Sequence, residues 1–193
     1  MIKASASKQR NLLSHTGPAV VFKNTADLAE RIDSPDLPVT KDSVLILQNI
    51  GPIGHPGMPE AGLIPIPRKL AKEGVKDMLR ISDGRMSGSA SGTIVLHVSP
   101  EAAVLDSVLG VVQDGDVVMV DVEERRLNVN LEDDEIMSRV EERRMVMEAD
   151  ERAVGKRVMQ RTRGYRGLYE SRVNQAEFGA DFDFLTAEGA RHI

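Results

Sequence analysis

Short runs of consecutive apolar residues alternate along this chain with polar, glycine-punctuated segments, and the alternation lays out its elements. The opening MIKASASKQR is polar. AVVF at 19–22 reads as a buried strand, and Thr25 is placed to cap a helix through ADLAERI that ends at SPDLP. SVLILQN at 43–49 is a second β-rich run, stopping at a glycine loop. PIPRKLAKEG carries proline at its start and glycine at its end, the asymmetry of a short helix, and VKDMLRIS then returns as a strand. TIVLHV at 93–98 is strand-like, and VLGVVQDGDVVMVDV forms two apolar runs around Asp114-Gly115, a hairpin signal. Leu127, Val129 and Leu131 alternate with Asn128 and Asn130, which predicts a strand with one dry and one wet face.

The period changes at Asp133. Ile136, Val140, Met147, Val154 and Val158 fall on one face of an amphipathic helix that reaches about Arg161, a stripe suited to packing. Arg152, Lys156, Arg157, Arg161 and Arg163 gather near its end, where cations favour the helix dipole; a solvated helix end accounts for them better than a phosphate or RNA contact does. The elements together predict an α/β domain, a closed or nearly closed strand barrel flanked by helices, over residues 1–131. Residues 132–193 are expected to form a helical tail packing on that domain or on a partner subunit.

Composition narrows the function. No apolar run approaches the roughly 18 residues needed to span a bilayer, and the N-terminus lacks the order of a signal peptide, so a cytoplasmic protein without a membrane role is expected. A net charge of −5, two tyrosines, four phenylalanines and no tryptophan argue against a nucleic-acid surface. The absence of cysteine excludes disulfides, thiol catalysis and thiolate-held metal within this chain. There is no GxxxxGK loop, no strand-linked GxGxxG and no HExxH.

Two loops hold the candidate chemistry: GPIGHPGMPEAG at 51–62 and SDGRMSGSASG at 82–92. A helix and a strand lie between them, so both can meet at one edge of a sheet. Glu60 is the carboxylate of the first loop, and Ser87 is flanked by glycine in the second. Read alone, such a glutamate is usually solvated and such a serine is usually a turn residue. Arg85 could meet a substrate carboxylate in forked geometry or pair with Asp83 to hold the turn, the second being favoured. His97, inside a strand, reads as a structural histidine bonded beneath the loop, while His15 and His192 carry no signal.

These loops, with Ile2-Lys3, AVVF, ERIDSPDLPV, VQDGD and the tail RGYRGLYESRVNQAEFGADFDFL, resemble the C-terminal domain of the dihydroxyacid and phosphogluconate dehydratases, most closely the arabinonate and xylonate branch. The resemblance implies a swivelling β/β/α domain belonging to a hydro-lyase that converts a 2,3-dihydroxy or aldonic acid to a 2-keto-3-deoxy acid. It implies magnesium bound by Glu60, Ser87 as the base that removes the C2 proton, and Ser89 and His55 lining the substrate pocket, with Arg85 the further candidate for substrate contact. It also implies an iron–sulfur cluster held by cysteines of an N-terminal domain that this chain lacks, and a homo-oligomer. The isolated chain is therefore expected to be inactive. Ile53 stands where many members have lysine, and the tryptophan and prolines that often follow the last strand in the sugar-acid branch are missing. The competing expectation is a stand-alone, non-enzymatic module that binds a small acid, a metal or a dehydratase.

Overall fold

In a computed structural model describing residues 1–7, 9–88, 91–161 and 163–186, with only the backbone for 149–161, the two central apolar runs lie side by side. Strand β1 (Ser14–Phe22) pairs in parallel with β2 (Val44–Leu47), placing Ala19 opposite Val44 and Phe22 opposite Leu47. Strands β3 (Arg80–Ser82) and β4 (Ile94–Val95) extend the parallel set beyond β2. On the other side β5 (Val117–Asp121) runs antiparallel to β1, and β6 (Arg126–Val129) antiparallel to β5. The order is β4-β3-β2-β1-β5-β6, and the sheet curls into a half-barrel.

Both faces of the parallel strands are covered, which is why they read as unbroken apolar runs. Val20, Phe22, Leu45 and Leu47 face Leu28 of helix α1 (Thr25–Arg31) and Leu70 of helix α2 (Arg68–Lys72). Ala19, Val21, Val44 and Ile46 point the other way, into a cluster with Val118, Val120 and Leu109 of helix α3 (Val108–Val111). Strand β5 alternates buried and exposed residues because only one of its faces is covered.

The structure corrects several expectations. Asn24, not Thr25, caps α1: its side-chain oxygen accepts from the amides of Ala26 and Asp27, both at 2.9 Å. The Asp114-Gly115 turn joins no hairpin, since residues 108–111 are helical; it docks on β1 instead. The Gly115 amide donates to Ala19 O, and the Val21 amide donates to the Asp114 carboxylate at 2.6 Å. The hairpin that does form is β5–β6, turning at Arg125 with φ of 55°. The expected dry face of 127–131 is not dry: Leu127 is 38% exposed, Val129 is half-buried and the strand ends there, because β6 is the outermost strand of the half-barrel.

Helix α4 (Asp133–Arg161) runs over the predicted residues. Ile136 and Val140 are half-buried and Met147 is exposed; the side chains of Val154, Val158, Arg152, Lys156, Arg157 and Arg161 lie outside the described residues, as does His192. Arg139 pairs with Asp116 at 2.6 Å and with Glu135 at 2.7 Å. Those hydrogen bonds raise the Arg139 guanidinium above its usual value, most strongly the bond to Asp116. Arg143 donates to the carbonyls of Ala102, Val104 and Leu105. Helix α5 (Gly164–Arg172) follows, and Val173 bridges to Phe182 in the tail.

A buried ion pair ties the site loops to the sheet. Arg80 and Asp77 are 5% and 6% exposed and 2.7 Å apart. Arg80 also donates to Ile64 O at 3.0 Å, and Asp77 accepts from the Thr93 amide and hydroxyl at 2.9 and 2.8 Å. The chain leaving the first loop is thus locked to the chain leaving the second. Gly92 completes the fit, with φ of 116° and no room for a β-carbon against Arg80. Arg80→Met would leave Asp77 without its counter-charge, and urea unfolding should register a loss of about 3–5 kcal/mol.

Candidate functional site

In a parallel sheet, ligands gather where the loops leave the carboxyl ends of the strands. Here β2 and β3 are neighbours, so the loop after each emerges beside the other, and the segment after β4 lies next in line. Two buried carboxylates fix the paths. Asp83 is fully buried; its oxygens accept from the amides of Asn49 at 3.1 Å, Ile50 at 3.0 Å and Ala102 at 2.9 Å. Burial pushes the Asp83 carboxyl up from its usual range and neighbouring Glu101 adds to this, while the three amides oppose it. Glu101 is 1% exposed and accepts from the amides of Ile53 at 2.9 and 3.0 Å and Gly54 at 2.8 Å. Gly51 is required beside it, because a β-carbon there would stand 2.8 Å from the Glu101 side chain.

Arg85 joins the two loops. Its Nε donates to Met58 O at 2.8 Å, and its own carbonyl accepts from the Gly62 amide at 2.7 Å. The favoured pairing of Arg85 with Asp83 is not made, because Asp83 turns inward onto backbone amides. Glu60 lies between the two points that Arg85 holds, and Ser87 lies two residues beyond Arg85. Two residues of chain span at most roughly 7 Å, so both stay near this junction.

Glu60 and Ser87 are exposed and His55 is half-buried. His55 takes part in the loop's own turn, its amide donating to Gly51 O at 3.0 Å and its carbonyl accepting from Met58 N at 2.8 Å. Ser89 lies outside the described residues. Ser87 lines a cavity of about 370 Å³ with Met86, Gly88, Leu96 and His97 and the first residues of the chain. The His97 backbone bonds beneath the loop, its amide donating to Gly84 O at 3.1 Å with φ of 54°. Its imidazole is held below its usual value, first by burial and then by the positive charge of the N-terminus and Arg85. It therefore sits in the cavity as a neutral ring at neutral pH.

Among the described residues no group of three or more His, Asp or Glu could hold a metal ion. Glu60 is thus a single exposed hard oxygen donor, which by itself offers a divalent cation one ligand. Sequence reasoning missed Glu101, Gln175, Asp77 and Arg80. Glu101 and Asp77 carried no signal beyond their place next to strands, and Gln175 meets Glu101 across 74 positions of chain.

Comparison with known proteins agrees with the architecture. Residues 1–180 match the family model described as dihydroxy-acid/6-phosphogluconate dehydratase C-terminal. The chain is 46% identical to the 6-deoxy-6-sulfo-D-gluconate dehydratase of Pseudomonas putida, over 97% of this chain and 30% of that protein. It is 40% identical to the L-arabinonate dehydratase of Rhizobium leguminosarum bv. trifolii, over 96% of this chain and 30% of the relative. Against the dihydroxy-acid dehydratase of Caldanaerobacter subterraneus the identity is 37%, over 69% of this chain and 23% of the other. This chain spans about 30% of the length of the sugar-acid relatives it matches. With its paired loops at the carboxyl edge of a half-barrel, the chain belongs to the dihydroxy-acid/6-phosphogluconate dehydratase family, as its C-terminal domain.

Proposed function

We propose that this domain supplies the base and one metal ligand of a dehydratase acting on a sugar acid or 2,3-dihydroxy acid. The observation that supports it most is the Arg85 junction, which keeps Glu60 and Ser87 on two loops bonded to each other and facing solvent. Glu60 fits magnesium as a single hard ligand, and the cation's other ligands come from the N-terminal domain. An iron–sulfur cluster belongs there as well, since this chain has no cysteine. When bound, the metals supply Lewis acidity toward the substrate carboxylate, the C2 hydroxyl and the departing C3 hydroxyl.

The chain's own residues do the proton work. Ser87 Oγ, as its alkoxide, removes the C2 proton, and a serine hydroxyl loses its own proton near neutral pH only where positive groups stabilise that alkoxide. The amide-rich glycine loop and the guanidinium of Arg85 provide that field. The C2–H electrons form the C2–C3 double bond, the C3 hydroxyl leaves with its bonding pair as hydroxide and becomes water with the proton that Ser87 had taken, and the enol tautomerises to the 2-keto-3-deoxy acid. His97, neutral beside the cavity, adds no competing charge. Arg85, Ser89 and His55 contact the substrate, and Arg85 combines this with holding the first loop. On this reading the enzyme acts in the cytoplasm as a homo-oligomer.

In the complete dehydratase containing this domain, Ser87→Ala should lower kcat by roughly 10²–10⁴-fold while leaving substrate KM nearly unchanged; undiminished turnover would remove Ser87 from the reaction. Glu60→Gln should raise the magnesium concentration for half-maximal activity by at least roughly tenfold, since one ligand charge is lost. The 193-residue chain alone, given magnesium and a panel of aldonic and dihydroxy acids, should release no 2-keto acid. Turnover by the isolated chain would overturn the shared site, and tight binding of an acid without turnover would favour a stand-alone binding module.

A further inference from the structure

The Glu101 carboxylate poses a physical problem that the reaction leaves unanswered. It is 1% exposed, and no lysine or arginine pairs with it among the described residues. A buried carboxylate is tolerated only where hydrogen bonds replace lost water. Two donors are the amides of Ile53 and Gly54, and the third is the side-chain amide of Gln175, 2.9 Å away. Gln175 grips the same residue twice, since its Oε1 also accepts from the Glu101 amide at 2.8 Å. The fork of one glutamine amide thus fixes both the backbone and the side chain of Glu101.

The tail is built to present that fork. The Asn174 amide donates to Asp181 O at 2.9 Å, and the Asp181 amide returns a bond to the Asn174 side chain at 2.9 Å. Val173 bridges to Phe182, and Gly179 reverses the chain at φ of 105°. Tyr169 meets Phe182 edge-to-face with centroids 5.7 Å apart, and Phe182 stacks on Phe184 at 5.2 Å. Gln175 therefore sits at the start of a closed loop whose conformation is set before it reaches the barrel.

We propose that Gln175 is a positioning residue. It is the outer link of a relay, Gln175 to Glu101 to the amides of Ile53 and Gly54, that sets the conformation of the loop carrying Glu60. The tail from Val173 to Phe182 is then a clamp on the metal-binding side of the site. That last step rests on the functional reading above, whereas the relay itself does not.

Hydrogen exchange on the full 193-residue chain tests the relay without substrate or metal. Gln175→Met preserves length and volume but removes both polar contacts. It should speed exchange of the Ile53 and Gly54 amides at least tenfold while Leu45 and Ile46 of β2 stay as protected as before. Exchange within twofold of the parent would mean that Gln175 only fills space and would overturn the relay. If β2 protection falls as well, Gln175→Asn, which stays polar but reaches less far, decides by the same two thresholds. In the complete dehydratase, Gln175→Met should raise the magnesium concentration for half-maximal turnover several-fold, with substrate KM at saturating magnesium changed less than twofold. Faster loop exchange with an unaltered magnesium requirement would overturn the positioning role. Activity surviving Ser87→Ala would sink the proposed chemistry but leave the exchange result standing.

Discussion

The carboxylate of Asp83 is the point from which the loop region is hung. It stands at the end of β3, yet its three hydrogen bonds go to Asn49 and Ile50, where the chain leaves β2, and to Ala102, beyond β4. One side chain therefore sets the relative height of three segments that leave the sheet side by side. The cost of burying it is visible in the direction of its titration, since burial raises the carboxyl while the amides pull it down. The folded protein binds that proton more tightly than the unfolded chain does. The stability Asp83 contributes by titration is thus fully present below 3.8 and declines as pH rises through the folded value. A group that works against stability in this way is retained for what it places.

Asp83, Glu101 and the Arg80–Asp77 pair share one logic. Each puts a charged group under the loops, where it meets backbone amides or carbonyls more than other side chains. Backbone groups have fixed positions, so a buried ion that bonds to them specifies a chain path to a fraction of an ångström. Glycine is then needed wherever that path runs against the anchor: Gly51 against Glu101 and Gly92 against Arg80. The glycine content of the two loops follows from the anchors beneath them as much as from the turns they make.

Much of this was legible in the sequence, and the exceptions have physical causes. Consecutive apolar residues marked β1 and β2 because parallel strands are covered on both faces, and residues 133–161 form the helix expected there. Residues 108–112 misled because a short apolar run is equally compatible with a strand and a buried helix. What decided the matter was the docking of Gly115 and Asp114 onto β1, almost a hundred residues earlier. Thr25 and Asn24 are both good caps, and only the extended backbone of Asn24 singled it out. The site loops could be read from their glycines and from the family resemblance, but their anchors could not. Asp83 was weighed only as a partner for Arg85, and the Glu101–Gln175 contact joins segments with no local pattern in common.

Anchors and exposed groups divide the loops into two layers. Asp83, Glu101, Asp77 and Arg80 are shielded, while Glu60, Arg85 and Ser87 stand above them in solvent. A site complete within one domain normally encloses its reactive groups, because excluding water strengthens every electrostatic interaction made there. Here the anchoring layer is shielded and the layer of Glu60, Arg85 and Ser87 is open. A domain that ordered its loops only on contact with a partner would lose much of the contact energy to that ordering. With the loops already fixed from below, closure by the second domain of the proposed dehydratase could go into desolvating Glu60 and Ser87, the two groups to which the proposal assigns the metal and the proton.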